Sequence, residues 1–173
     1  MSLTIITGCM FSGKTSYLIH HLEDKPNVYY INSILDTRTT NFIQTHDGKK
    51  LKAYKRDNLY FSDEELNNLK QDYKIIAIDE GQFFPHLKKN IERILEYGFD
   101  IYVAGLDADS NQNKFGEILD LILIADKTIK LYGICQICKK DGAFTKRIDT
   151  SCSNQILIGN SNKFQCVCRE HLK

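Results

Sequence analysis

Gly8-Cys9-Met10-Phe11-Ser12-Gly13-Lys14-Thr15 fits the pattern G-x4-G-K-[ST] at every required position. The chemistry of that spacing is polyphosphate binding. Glycines let backbone N–H groups wrap closely around phosphate oxygens. The lysine reaches the β- and γ-phosphates, and the threonine hydroxyl serves Mg²⁺. A helix starting at the loop's end adds partial positive charge beneath the anion. Asp79 and Glu80 follow the apolar run Ile75-Ile76-Ala77-Ile78. An aspartate at a strand end is by default a turn cap, but downstream of a phosphate loop it takes the place of a Walker-B aspartate. Glu80 projects into the same crevice. One carboxylate then organises Mg²⁺ while the other accepts a proton.

A second group of residues has metal-binding spacing. Cys135 and Cys138 form a C-x2-C knuckle, and Cys168 and His171 form a C-x2-H pair. Two such half-sites make a tetrahedral Cys3His zinc site. The plainer alternative is a set of free buried thiols with a surface histidine, which leaves the paired spacing unexplained. Four protein ligands leave no open position, so the role is structural. Cys166 lies two residues before Cys168 and competes for the fourth place, whereas Cys9 and Cys152 read as ordinary small buried or loop residues.

Both groups need elements to hold them. Leu3 to Thr7 is a short apolar run ending at Gly8 and reads as a buried strand. Helical spacing follows from Gly13 to Leu22, and His20 and His21 fall on its exposed face. Val28 to Ile34 reads as a second strand. Residues 35–55 are polar with little periodicity and read as a long loop with short strands. Ser62-Asp63-Glu64-Glu65 is a capping box, predicting a helix from Ser62 to Lys70. Ile75 to Ile78 is a strand, Pro85 fits the first turn of a helix stopping near Gly98, and Ile101 to Ala104 is another strand. A helical pattern runs from Phe115 to Ala125, then a strand from Thr128 to Tyr132. Strands alternating with helices predict an α/β fold with a parallel sheet covered on both faces. The fold class is thus a P-loop sheet over residues 1–130, with a small zinc-binding segment over 131–173.

With 173 residues, 42% hydrophobic and 26% charged, the chain has enough apolar content for a real core. A net charge of +1 from 23 basic and 22 acidic residues excludes a large nonspecific nucleic-acid or membrane footprint. No apolar run approaches the roughly 20 residues that span a bilayer. The segment Met1 to Ile6 lacks the features of a signal peptide. The expectation is a cytoplasmic protein, where paired cysteines hold metal more often than they form disulfides.

In their order along the chain these residues resemble the type II thymidine kinases of animals, bacteria and large DNA viruses. Gly8 to Thr15 is similar to that family's G-x-M-F-S-G-K-[ST] loop, Asp36-Thr37-Arg38 to its D-T-R segment, and Thr45-His46-Asp47 to its T-H-D. Asp79 to Phe84 is similar to D-E-G-Q-F-F. Leu106-Asp107, Phe115-Gly116, Thr145-Lys146-Arg147 and Ile158-Gly159 fall at matching distances. The resemblance implies ATP-dependent phosphorylation of thymidine, and of deoxyuridine, at the 5′-hydroxyl in nucleotide salvage. It implies Glu80 as general base, Arg38 near the transferring phosphate beside Lys14, and Asp36 with Thr15 and Asp79 around the Mg²⁺ shell. Met10, Phe83, Leu106, Ser110, Phe115, Thr145, Leu157, Gly159 and Phe164 would line the nucleoside pocket, under a lasso that closes over the base. A homotetramer and feedback inhibition by dTTP are implied as well.

Several positions depart from that family. Ser110 stands where an aromatic residue is usual, Gln112 where arginine is frequent, Phe164 for tyrosine, Asn160 for a glycine, and His171 for the last cysteine. The first four touch the nucleoside pocket, and the last preserves zinc chemistry. By default Phe83, Phe84 and Phe115 are core aromatics, and Arg38, Lys146 and Arg147 are solvated charges. His46 is a loop residue with no proton-transfer role. Two other readings stay open. One is a kinase of another deoxynucleoside. The other is a nucleotide switch whose zinc knuckle, with Lys139 and Lys140 beside it, contacts a protein or RNA.

Overall fold

The computed structural model describes residues 1–37, 41–44, 48–149 and 162–173. Chain order begins with β1 (Ser2–Gly8), α1 (Lys14–Leu22), β2 (Val28–Ser33), β3 (Phe42–Gln44), β4 (Lys50–Lys52) and β5 (Tyr54–Arg56). It continues with α2 (Asp63–Asp72), β6 (Ile75–Asp79), a 3-10 turn (Gly81–Phe83), α3 (Leu87–Glu96), β7 (Asp100–Leu106), α4 (Ile118–Leu121) and β8 (Lys127–Leu131). Among the described residues, four short strands follow: β9 (Gly133–Ile134), β10 (Asp141–Gly142), β11 (Phe144–Arg147) and β12 (Phe164–Val167), then a 3-10 turn (Arg169–His171).

The central sheet has six strands in the order β5-β2-β6-β7-β1-β8, and each neighbouring pair is parallel. Alternating side chains of β1, β2, β6 and β7 enter two separate cores, as strands buried on both faces require. Leu3, Ile5, Ile76, Ile78, Ile101 and Val103 join Leu66 of α2, Ile91 and Ile94 of α3, and Ile118 and Leu121 of α4. Ile6, Ala77 and Ala104 join Leu18, Ile19 and Leu22 of α1 on the other side. Register brings the C-terminal ends level: Gly8 lies opposite Leu106 and Leu131, and Asn32 opposite Asp79.

Local expectations and structure differ in two places. The predicted helix over Phe115–Ala125 is only α4, because Gly116 turns the chain with φ 60° before it. Pro85 precedes rather than begins its helix, since His86 is a left-handed N-cap to α3. In the 35–55 stretch, β3 and β4 form an antiparallel hairpin and β5 adds a parallel edge strand to β2. The capping box does cap α2: Ser62 Oγ accepts from the Glu65 N–H, and Glu65 Oε2 accepts from the Ser62 N–H. No helix among the described residues is long and apolar enough to cross a membrane.

Candidate active site

The candidate site lies on the edge where the sheet's C-terminal ends align. Gly8 ends β1 with φ 150°, and a Cβ there would lie 2.3 Å from the Leu131 carbonyl oxygen and 2.8 Å from Ser12 Oγ. Only glycine fits so close an approach. The loop then turns through Phe11, at φ 63°, and Gly13, at φ 80°, into α1. Lys14 Nζ folds back to donate to the Cys9 carbonyl oxygen at 2.6 Å and to Ser12 Oγ at 3.5 Å. Burial pushes its ammonium below the ordinary lysine value, and the charges of Glu80, Cys9, Asp79 and Asp107 oppose that shift. An entering phosphate would take over those donors.

Thr15 Oγ1 donates to Asp79 Oδ2 at 2.9 Å, which joins the first turn of α1 to the end of β6 across the intervening β7. From β2, Asn32 Nδ2 donates to Asp36 Oδ2 at 3.0 Å, and both residues are buried. Asn32 Oδ1 has no hydrogen-bond partner. A hydrated magnesium ion suits this all-oxygen set: Thr15, Asp79 and Asp36 are hard donors, and its water would satisfy the orphaned Asn32 oxygen. Sequence reasoning passed over Asn32, which no motif marks. Glu80 follows Asp79 in the left-handed region at φ 56°, a conformation that costs about 1–2 kcal/mol outside glycine and that clusters at functional sites.

The residues expected to line a nucleoside pocket fall into groups. Phe83 and Phe115 meet edge to face, with ring centroids 5.7 Å apart, and Leu106 is buried at the end of β7. Thr145 sits on β11 and accepts a hydrogen bond from the Met10 N–H at 2.9 Å, tying the C-terminal hairpin to the phosphate loop. Phe164 faces Arg147 across β11–β12, with the guanidinium 5.5 Å from its ring. Ser110 lies in a self-closed polar turn: Asp109 Oδ1 accepts from Asn111 and Asn113 N–H groups, and Gln112 Nε2 donates to the Ser110 oxygen. Arg38, Leu157, Ile158, Gly159 and Asn160, with Thr45, His46, Asp47 and Cys152, lie outside the described residues.

The candidate metal centre gathers Cys135, Cys138, Cys168 and His171, with all four ligand atoms within 4.8 Å of one another. Cys138 Sγ is 3.7 Å from Cys168 Sγ, and His171 Nδ1 is 3.7 Å from Cys135 Sγ and 3.2 Å from Cys168 Sγ. A tetrahedral zinc with ordinary bond lengths sets such edges at about 3.8 Å for S···S and about 3.5 Å for S···N. Burial alone would raise the Cys135 thiol, but backbone N–H groups of Cys138, Cys168 and Ile137 outweigh it and hold it at about 6. Cys166 points elsewhere. Its sulfur lies 3.5 Å from Cys9 Sγ in the phosphate loop, and burial pushes its thiol up to about 12. The direction of its sulfur, away from the four converging ligand atoms, does not suit a ligand of this centre.

Comparison with known proteins adds a family model, described as thymidine kinase, that matches residues 1–172. The thymidine kinase of Sheeppox virus (strain KS-1) is 35% identical over 170 residues, covering 96% of this chain and 93% of the relative. That of Myxoma virus (strain Uriarra) is 33% identical over 170 residues with the same coverages. That of Mycoplasma genitalium is 32% identical over 174 residues, covering 96% of this chain and 81% of the relative.

Proposed function

Because this chain belongs to the thymidine kinase family, we propose that it transfers the γ-phosphoryl group of ATP to the 5′-hydroxyl of thymidine, and of deoxyuridine. The observation that carries this reading is the convergence of Gly8–Thr15, Asp79 and Glu80 on one sheet edge, with Thr145 of the C-terminal hairpin bonded to the loop. In the proposed reaction the phosphates of ATP take the Lys14 ammonium from the Cys9 carbonyl. Thr15, Asp79 and Asp36 would hold a hydrated Mg²⁺, which would supply positive charge to offset that on the β- and γ-phosphates. Glu80 accepts the 5′-hydroxyl proton as the oxygen attacks in line. Phe83, Leu106 and Phe115 supply the apolar wall for the base, and Met10, Thr145 and Phe164 lie on the hairpin side. Arg38, Ser110, Leu157 and Gly159 keep the pocket and transition-state roles that the resemblance implies.

The same proposal holds zinc on Cys135, Cys138, Cys168 and His171 as a structural ion that folds residues 131–173 into the lasso, beside a kinase domain over 1–130. Homotetramer assembly, feedback inhibition by dTTP and a cytoplasmic location rest on the family resemblance. The kinase reading is favoured over a nucleotide switch because Glu80 stands as a second carboxylate beside Asp79, where an acceptor hydroxyl needs a base. Replacement Glu80→Gln tests it: the amide keeps the shape and cannot take the proton. Turnover should drop by about 10²–10⁴, with ATP affinity nearly intact by calorimetry. Undiminished turnover in that variant contradicts the assignment.

A further inference from the structure

A base is useful only if its carboxylate is held at the right distance from the bound phosphate. Glu80 leaves the end of β6 in a left-handed conformation, and the strand does not aim its side chain. The residue two positions on does. Gln82 Nε2 donates to Glu80 Oε2 at 2.6 Å. Its other amide atom, Oε1, accepts the Leu106 N–H at 2.9 Å. A backbone N–H only donates, so the amide's oxygen must face Leu106 and its NH₂ must face Glu80.

Leu106 is not an arbitrary anchor. It ends β7 directly opposite Gly8, the first residue of the phosphate loop. The sheet register, the Leu106 N–H, the Gln82 amide and the Glu80 carboxylate thus form one continuous reference from phosphate site to base. The amide is also clamped. Gln82 is 4% exposed. A Cβ on Gly105 would come within 2.7 Å of its Oε1, and one on Gly116 within 2.4 Å of its backbone oxygen. Both neighbours are reduced to glycine where this glutamine lies.

We propose that Gln82 is a positioning residue for phosphoryl transfer, orienting the Glu80 carboxylate by a hydrogen bond whose other end is fixed to the phosphate-loop frame. This rests on the reading of Glu80 as the base. Its amide is spent on Glu80 and Leu106, so its part in the reaction runs through Glu80.

The test is a double-mutant cycle on the full chain, with ATP and thymidine as probes. Gln82→Met keeps the length and loses both amide contacts. It should lower kcat by about 10–10², the scale expected for a misplaced reacting group, with KM for ATP changed less than about twofold. In the Glu80→Gln background, where no base is left to orient, the same replacement should cost nothing further. Gln82→Asn keeps an amide but withdraws it by one methylene, and gives the same contrast if the methionine variant folds poorly. An equal fractional loss in both backgrounds would show a general structural role and overturn the proposal. So would turnover that is lost in Glu80→Gln yet kept in both Gln82 variants, which leaves the base standing. Wild-type turnover in Glu80→Gln itself would bring down the base assignment and this proposal with it.

Discussion

Serine in place of Cys138 removes one of four converging ligand atoms and leaves the backbone of the knuckle in place. Structural zinc in comparable small sites is worth about 10–16 kcal/mol, so one ligand in four represents about 3–4 kcal/mol. That is about 10²–10³ in zinc affinity. If the loss reaches folding, a chain of this size should melt about 6–16 °C lower. The damage should spread, because Cys166, next to the centre on β12, packs its sulfur 3.5 Å from Cys9 in the phosphate loop. Three measurements on one preparation give the answer: zinc per chain after chelator competition, thermal midpoint, and ATP affinity by calorimetry. Cys138→Ser should lower all three, while Cys166→Ser should keep the metal. A wild-type chain without tightly held zinc, or a Cys166→Ser variant that loses it while Cys138→Ser retains it, refutes the reasoning.

Two further outcomes follow from the phosphate loop. Burial lowers the Lys14 ammonium below its ordinary value, so rising pH should weaken ATP binding before a free lysine would titrate. Over the same window the unfolded chain binds more protons at this group, so its contribution to folding stability rises with pH, and Lys14→Arg should flatten the ATP-affinity profile. Thr145→Val removes the acceptor of the Met10 N–H and should cost about 1–3 kcal/mol with weaker ATP binding. Thr145→Ser should restore both, as thermal melts and ATP titrations will show.

What could be read in the sequence was what is local. The phosphate loop, the capping box and the alternation of apolar strands with helices are each encoded within a few neighbouring residues, and Gly8–Thr15 does join the end of β1 to the first turn of α1. The cysteine pairs were legible because knuckle spacing is itself local, even though Cys138 and Cys168 meet across the hairpin. Long-range pairings were not legible. Cys166 looked like a spare ligand until the fold put Cys9 against it from the far end of the chain. Gln82 stood in plain view inside Asp79–Phe84, but its partner Leu106 is set by strand order. The Phe115–Ala125 pattern overstated a helix because periodicity does not register the close turn at Gly116. Short strands were expected in the 35–55 stretch, but the pairing of β5 beside β2 is set by the fold and not by neighbouring residues.

The proposed function requires acceptor-dependent transfer of phosphate to a pyrimidine deoxynucleoside. The most direct measurement supplies γ-labelled ATP and Mg²⁺ with each deoxynucleoside in turn and follows both ADP release and labelled monophosphate. Label is expected on the 5′-oxygen of thymidine and deoxyuridine, with little ADP released without an acceptor. ADP release that ignores the nucleoside would contradict it, and a preference for a purine deoxynucleoside would contradict the substrate assignment.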